Sequence, residues 1–164
     1  MKELTPPQLF VVVALFRPVG IGTSFDRRQW PAHVTLASNF VVTEHGDRLA
    51  RAVSEACAAY RPLSVRFAAV PCSVAMRLSL QLVDSADLPE MHERLADVLE
   101  VMPGFVATDP DYWRAGYRPH MTQVPTVTVR DGDIKQMAYI AVAALNENTT
   151  VTTALALSHE SEGA

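Results

Sequence analysis

Hydrophobic positions change their period along this chain, and the changes mark out its elements. Gln8 to Phe16 (QLFVVVALF) is apolar almost without interruption, which predicts a strand buried on both faces. Arg17 to Pro31 is polar, contains glycine and ends RRQWP, so it reads as a loop. His33 to Val42 reads as a second strand. Glu44 to Tyr60 changes to helical spacing: Leu49, Val53, Ala56 with Cys57, and Tyr60 fall on one stripe, with Thr43 placed as its cap. Leu63, Val65 and Phe67 then alternate with polar or small residues, and Val74, Met76, Leu78, Leu80 and Leu82 do so again. These predict two half-buried antiparallel strands joined through Val70-Pro71-Cys72.

Asp87 and Glu90 stand at capping-box spacing with Pro89 in the first turn. A helix is expected from there to Met102 on Leu88, Met91, Leu95, Val98/Leu99 and Met102, ended by Pro103-Gly104. A long aromatic loop, Phe105 to Pro119, leads to a strand over His120 to Val129 that Pro125 interrupts. Ile134 to Leu145 reads as a helix, and Val151, Thr153, Leu155 and Leu157 alternate as a last strand. Ser158 to Ala164 is a polar tail expected to fray.

Composition narrows the class. At 164 residues, 49% hydrophobic and 20% charged, the chain is a globular domain with a real core, and no linker divides it. Residues 1–164 are therefore read as one domain. The net charge of -4 provides no global field for nucleic acid, so a nucleic-acid substrate would need a local basic patch. Leu9 to Phe16 is too short to span a bilayer, and Arg17-Pro18 follows it where a signal peptide would show a small-residue cleavage site. A cytoplasmic monomer with no membrane association is expected. Cys57 and Cys72 lie in no CxxC and read as buried small hydrophobes in a reducing compartment, a disulfide between them being the other reading.

The chemistry lies in WPAHVTL and YRPHMTQ. Alternate residues of a strand share a face, so His33 points with Thr35 and His120 with Thr122. Side by side in a cleft, these would converge two imidazoles that titrate near pH ~6.5 and two hydroxyls able to bond anionic oxygens. One imidazole can accept a proton while the other donates one, which suits a phosphodiester and calls for no metal and no cofactor. Serine and threonine are common enough that the bare motif arises by chance, as His159-Glu160-Ser161 in the tail illustrates. Context distinguishes the other two: a proline just upstream (Pro31, Pro119), an aromatic nearby (Trp30, Tyr117), and an apolar middle residue (Val34, Met121). The residues expected to open the next helices, Thr43 and Arg130, stand equally far beyond their histidines. That gives a faint repeat, strand-helix-strand twice.

PAHVTL and RPHMTQ resemble the paired His-x-Thr motifs of the two-histidine (2H) phosphoesterase superfamily, the group of LigT-like 2'-5' RNA ligases and cyclic phosphodiesterases. Gln123 departs from the hydrophobic residue usual after the second threonine. The resemblance implies a bilobed α+β fold of two pseudo-symmetric lobes, with antiparallel sheets lining a central cleft and helices outside. It implies a nucleotide or RNA-end substrate with a 2',3'-cyclic phosphate or a 2',5' linkage, with His33 and His120 catalytic and Thr35 and Thr122 binding phosphate. Hydrolysis of cyclic oligonucleotide signals, or nucleotide binding without catalysis, are the alternatives.

The loops beside the motifs hold Arg27, Arg28, Trp30, Tyr112, Trp113, Arg114, Tyr117 and Arg118, charge and rings of the kind a nucleotide needs. Arg118, Tyr117, Trp30 and Trp113 are the candidate substrate contacts among them. Arg77, on the strand face opposite the Val74–Leu82 stripe, is a further candidate. His45 and His92 lie on expected helices among polar neighbours and read as solvated. No third ligand stands at zinc spacing.

Overall fold

The computed structural model describes residues 6–26, 29–69, 80–122 and 130–157. Among these residues the strands form two antiparallel sheets. The larger contains β1 (Gln8–Leu15), β2 (Ser24–Phe25), β3 (His33–Val42), β6 (Val106–Ala107), β9 (Tyr139–Leu145) and β10 (Thr149–Ala156), in the order β2-β10-β9-β1-β3-β6. The smaller contains β4 (Leu63–Ala69), β5 (Leu80–Asp84), β7 (His120–Thr122) and β8 (Ile134–Met137), in the order β7-β5-β4-β8. The helices α1 (Asp47–Cys57) and α2 (Asp87–Leu99) pack on each other, and α2 rests on β3.

One core joins these layers. Phe10, Val12, Ala14, Val34, Leu36 and Phe40 of the larger sheet share it with Leu63, Val65, Phe67, Val83, Met121 and Met137 of the smaller, and with Leu49, Val53, Leu88, Met91, Leu95 and Leu99 of the helices. The other face of the larger sheet carries a second cluster of Val11, Val13, Leu15, Ala141, Ala143 and Val151, against which Phe25, Trp30 and Tyr139 pack. β1 lies between β3 and β9 and is buried on both faces from Phe10 to Leu15, as its unbroken apolar run predicts.

Several elements differ from the sequence reading. Ile134 to Leu145 is not a helix but two strands, β8 and β9. Tyr-Ile-Ala-Val-Ala-Ala-Leu is rich in the best helix former, yet β9 is hydrogen-bonded to β1 and β10 and covered on both faces, so it shows no polar alternation. Arg130 therefore opens a turn, its N–H donating to the Asp133 carboxylate, and the expected second strand-helix-strand unit is absent among the described residues. Both α1 and α2 lie between the two motifs.

The helices are also shorter than their stripes. Gly46, at φ 75°, precedes α1, while the Thr43 hydroxyl donates to the Pro103 carbonyl instead of capping. α2 ends at Leu99, and Asp87 sits inside its first turn without a side-chain cap bond. Val83, paired with Phe67, carries the buried face at the described end of β5. Cys57 is a free thiol, pushed up to about 12 by burial, whereas Cys72, Arg27, Arg28, Arg77, Gln123 and His159 lie outside the described residues. Among the described residues no helix is long and apolar enough to cross a membrane.

Candidate active site

Each motif heads a strand, and the two strands belong to different sheets. His33 opens β3 and His120 opens β7, and β3 and β7 touch where the sheets meet. Burial of the middle residues sets the orientation. Val34, Leu36 and Met121 are completely buried in the shared core, and burying such side chains stabilises by about 1.5–3 kcal/mol each. A one-residue slip would turn them outward, so the register is strongly specified. His33 and Thr35 on β3, and His120 on β7, are consequently turned away from that core and are half-buried. In the sheet, Thr35 lies across from Val13 and Leu15 from His33, placing both motif residues on the face of the second cluster. His120 lies across from Leu82, and the Thr122 backbone pairs with Leu80.

The two imidazoles are held alike. His33 Nδ1 lies 2.8 Å from the Pro31 carbonyl oxygen, and His120 Nδ1 lies 3.0 Å from that of Arg118. A carbonyl only accepts, so in both rings Nδ1 carries the hydrogen and donates it, leaving Nε2 as the nitrogen that exchanges protons. In both cases the acceptor is the carbonyl two residues before the histidine, that of Pro31 itself in the first motif and that of Arg118, the residue before Pro119, in the second.

Burial lowers the His33 pKa below its ordinary 6.5, the Pro31 hydrogen bond works against this, and the charge of His120 lowers it further. That effect is in keeping with the contact between β3 and β7. His33 is therefore neutral at pH 7, with a lone pair on Nε2.

The other candidates divide. Trp30 is half-buried, its ring centroid 4.6 Å from that of His33. Arg118 is exposed, two residues before His120. Trp113 is not a free surface for a base, contrary to expectation, whereas Tyr117 is half-buried. Trp113 is only 8% exposed, packs on Phe40 and Phe105, and donates Nε1–H to Glu100 at 2.7 Å. Tyr117 donates its hydroxyl to the Thr35 carbonyl at 2.8 Å, and burial raises its pKa. Arg114 is taken up by Glu93, Asp97 and Glu100 of α2 and the residue that follows it.

His92 is a further correction: it is completely buried, not solvated. The signal was present, because position 92 is four after Leu88 and three before Leu95, on the apolar stripe of α2. Among the described residues no group of three or more His, Cys, Asp or Glu converges as metal ligands would.

Comparison with known proteins identifies the family and the fold. A family model described as the 2'-5' RNA ligase superfamily matches residues 13–161. Among solved structures, E. coli LigT complexed with ATP matches with a TM-score of 0.51 at 14% identity, covering 94% of this chain and 100% of that one. E. coli LigT complexed with 3'-AMP matches with a TM-score of 0.52 at 15% identity over the same shares. A protein of Thermus thermophilus, TT0787, gives a TM-score of 0.51 at 14% identity, covering 91% of this chain and 97% of that one. No curated protein matches the chain. Two antiparallel sheets meeting at paired histidine strands, in the fold of LigT and under a family model that spans nearly the whole chain, place this protein in the 2'-5' RNA ligase superfamily.

Proposed function

We propose that this protein is a metal-independent phosphodiesterase that opens 2',3'-cyclic phosphates, or cleaves 2',5' linkages, at nucleotide or RNA ends, with His33 as general base and His120 as general acid. One observation carries the reading: both motif histidines donate Nδ1–H to a carbonyl, which frees both Nε2 atoms for proton transfer, on two strands that touch. The E. coli LigT complexes with ATP and 3'-AMP support a nucleotide as ligand.

For a cyclic phosphate the step balances as follows. Water attacks phosphorus, and neutral His33 takes its proton at Nε2. The bond from phosphorus to one ribose oxygen breaks, and protonated His120 gives its Nε2 hydrogen to that oxygen. A phosphomonoester results, and the imidazoles exchange protons with solvent to restore the starting pair. Thr35, and Thr122 in the second motif, would donate to the equatorial oxygens. Exposed Arg118, two residues before His120, would meet phosphate charge, and the Trp30 ring beside His33 would stack on a base.

Incubation with a 2',3'-cyclic nucleotide, a 2',5'-linked dinucleotide and a cyclic dinucleotide, followed by chromatography, tests the function. Turnover of the first or second supports it, and turnover of the cyclic dinucleotide alone redirects it. Because protein groups supply both protons, turnover is expected to be the same with and without EDTA. Loss in EDTA restored by zinc or manganese would contradict the metal-free step.

A further inference from the structure

His92 lies outside the proton-transfer pair, yet both of its ring nitrogens have partners among the described residues. It is 0% exposed. Its Nδ1–H donates to the Leu36 carbonyl of β3 at 2.7 Å, and its Nε2 accepts the backbone N–H of Arg114 at 2.8 Å. With one nitrogen donating and the other accepting, the ring is held neutral in a single tautomer, and burial lowers its pKa in the same sense. Its centroid lies 4.2 Å from that of Tyr117, with the two planes 2° apart, while Trp113 meets it edge-on at 5.0 Å. The Tyr117 hydroxyl returns to β3 at the Thr35 carbonyl.

The two rings therefore grip consecutive carbonyls of the first motif, Thr35 and Leu36. Among the described residues β6 opposes β3 only at Phe40 and Val41, so the motif end of that strand needs other partners on this side. The far end of the grip is equally fixed. Arg114 has φ 59°, in the left-handed region that a non-glycine residue enters at a cost, and its guanidinium binds Glu93, Asp97 and Glu100. The Gly116 backbone lies so close to the Asp111 carbonyl that a Cβ there would collide with its oxygen. From this anchored segment the chain passes directly through Arg118 and Pro119 to His120.

We propose that His92 and Tyr117 are positioning residues that set the separation of the two motif histidines by tying β3 to the segment that carries His120. The idea rests on the two-histidine reading, since it gives the clamp its purpose. The clamp touches no substrate and acts only through where the imidazoles stand.

Two measurements test it, one of which needs no catalysis. The first is the NMR titration of the His33 ring in substrate-free protein, with and without His120→Ala. In the wild-type background His120→Ala should raise the His33 midpoint, because a neighbouring charge is removed. In a Tyr117→Phe background, which keeps the stacked ring and removes only the bond to Thr35, that rise should shrink, and in His92→Gln it should shrink further. An equal rise in the wild-type and Tyr117→Phe backgrounds overturns the proposal, whether or not His92→Gln folds. The second is kinetic. Tyr117→Phe should lower kcat about tenfold, as misplacement of reacting groups by a fraction of an ångström does, with KM held within about twofold. A lowered Tm with kcat unchanged would make the clamp merely structural and overturn it. If the wild-type protein turns over none of the substrates, the phosphodiesterase reading fails, and the titration still decides whether the clamp sets the spacing.

Discussion

His33→Ala and His120→Ala should each remove most of the turnover of a 2',3'-cyclic phosphate. General acid or base catalysis contributes on the order of 10²–10⁴ in rate, and each variant deletes one partner. The double variant should lose little more than either single one. Once the base is gone the attacking water is not activated, and an acid alone has no developing charge to discharge, so the two act as a unit. If Thr35 binds phosphate as proposed, Thr35→Ala would remove one hydrogen bond to a charged oxygen, worth about 1.5–3 kcal/mol, so its loss should be smaller, roughly 10- to 100-fold. Both histidines sit on strands held by Val34, Leu36 and Met121, which are untouched, so circular dichroism should be unchanged. Kinetics on the purified single and double variants check this ordering.

Turnover should follow a bell in pH, because the base must start neutral and the acid charged. The acid limb belongs to the histidine that must lose its proton. The His33 pKa is lowered, first by burial and then by the charge of His120. A lowered value keeps the ring neutral to lower pH, so the acid limb of kcat/KM, which reports the free enzyme, should have its midpoint below the ordinary 6.5. The limbs are macroscopic properties of the pair. The sign has a check: in His120→Ala the repulsion disappears, so the acid limb of the residual activity should move to higher pH. A limb that moved to lower pH, or stayed at 6.5 in both proteins, would remove His33 from the role of base.

The strand orientation of the candidate site was legible in the sequence because strands have a period of two. His-Val-Thr-Leu fixes which residues share a face, and buried Val34 and Met121 keep that order in the fold. What alternation cannot reveal is which strands meet. β3 and β7 belong to different sheets, and nothing local in either motif says so. The aromatic loop misled for a related reason. Trp113, Arg114 and Tyr117 have the composition of a nucleotide platform, but their partners, Glu100, Glu93, Asp97 and Thr35, are distant in sequence. The helix expected over Ile134 to Leu145 failed because a central strand covered on both faces loses its alternation, and alanine then points to the wrong element. His92 was legible as a stripe position and was misread because polar neighbours outweighed spacing.

The division of labour between the two histidines is tested most directly by changing the leaving group. A ribose oxygen needs a proton to depart, whereas 4-nitrophenolate is a stable anion and departs without one. If His120 is the acid, His120→Ala should be severely impaired on a 2',3'-cyclic phosphate but should approach the wild-type rate on a nucleoside 4-nitrophenyl phosphodiester. His33→Ala should be impaired on both, because each needs an activated nucleophile. Near-normal turnover of the cyclic phosphate by His120→Ala, or equal losses for both variants on the nitrophenyl ester, would contradict the assignment of His33 as base and His120 as acid.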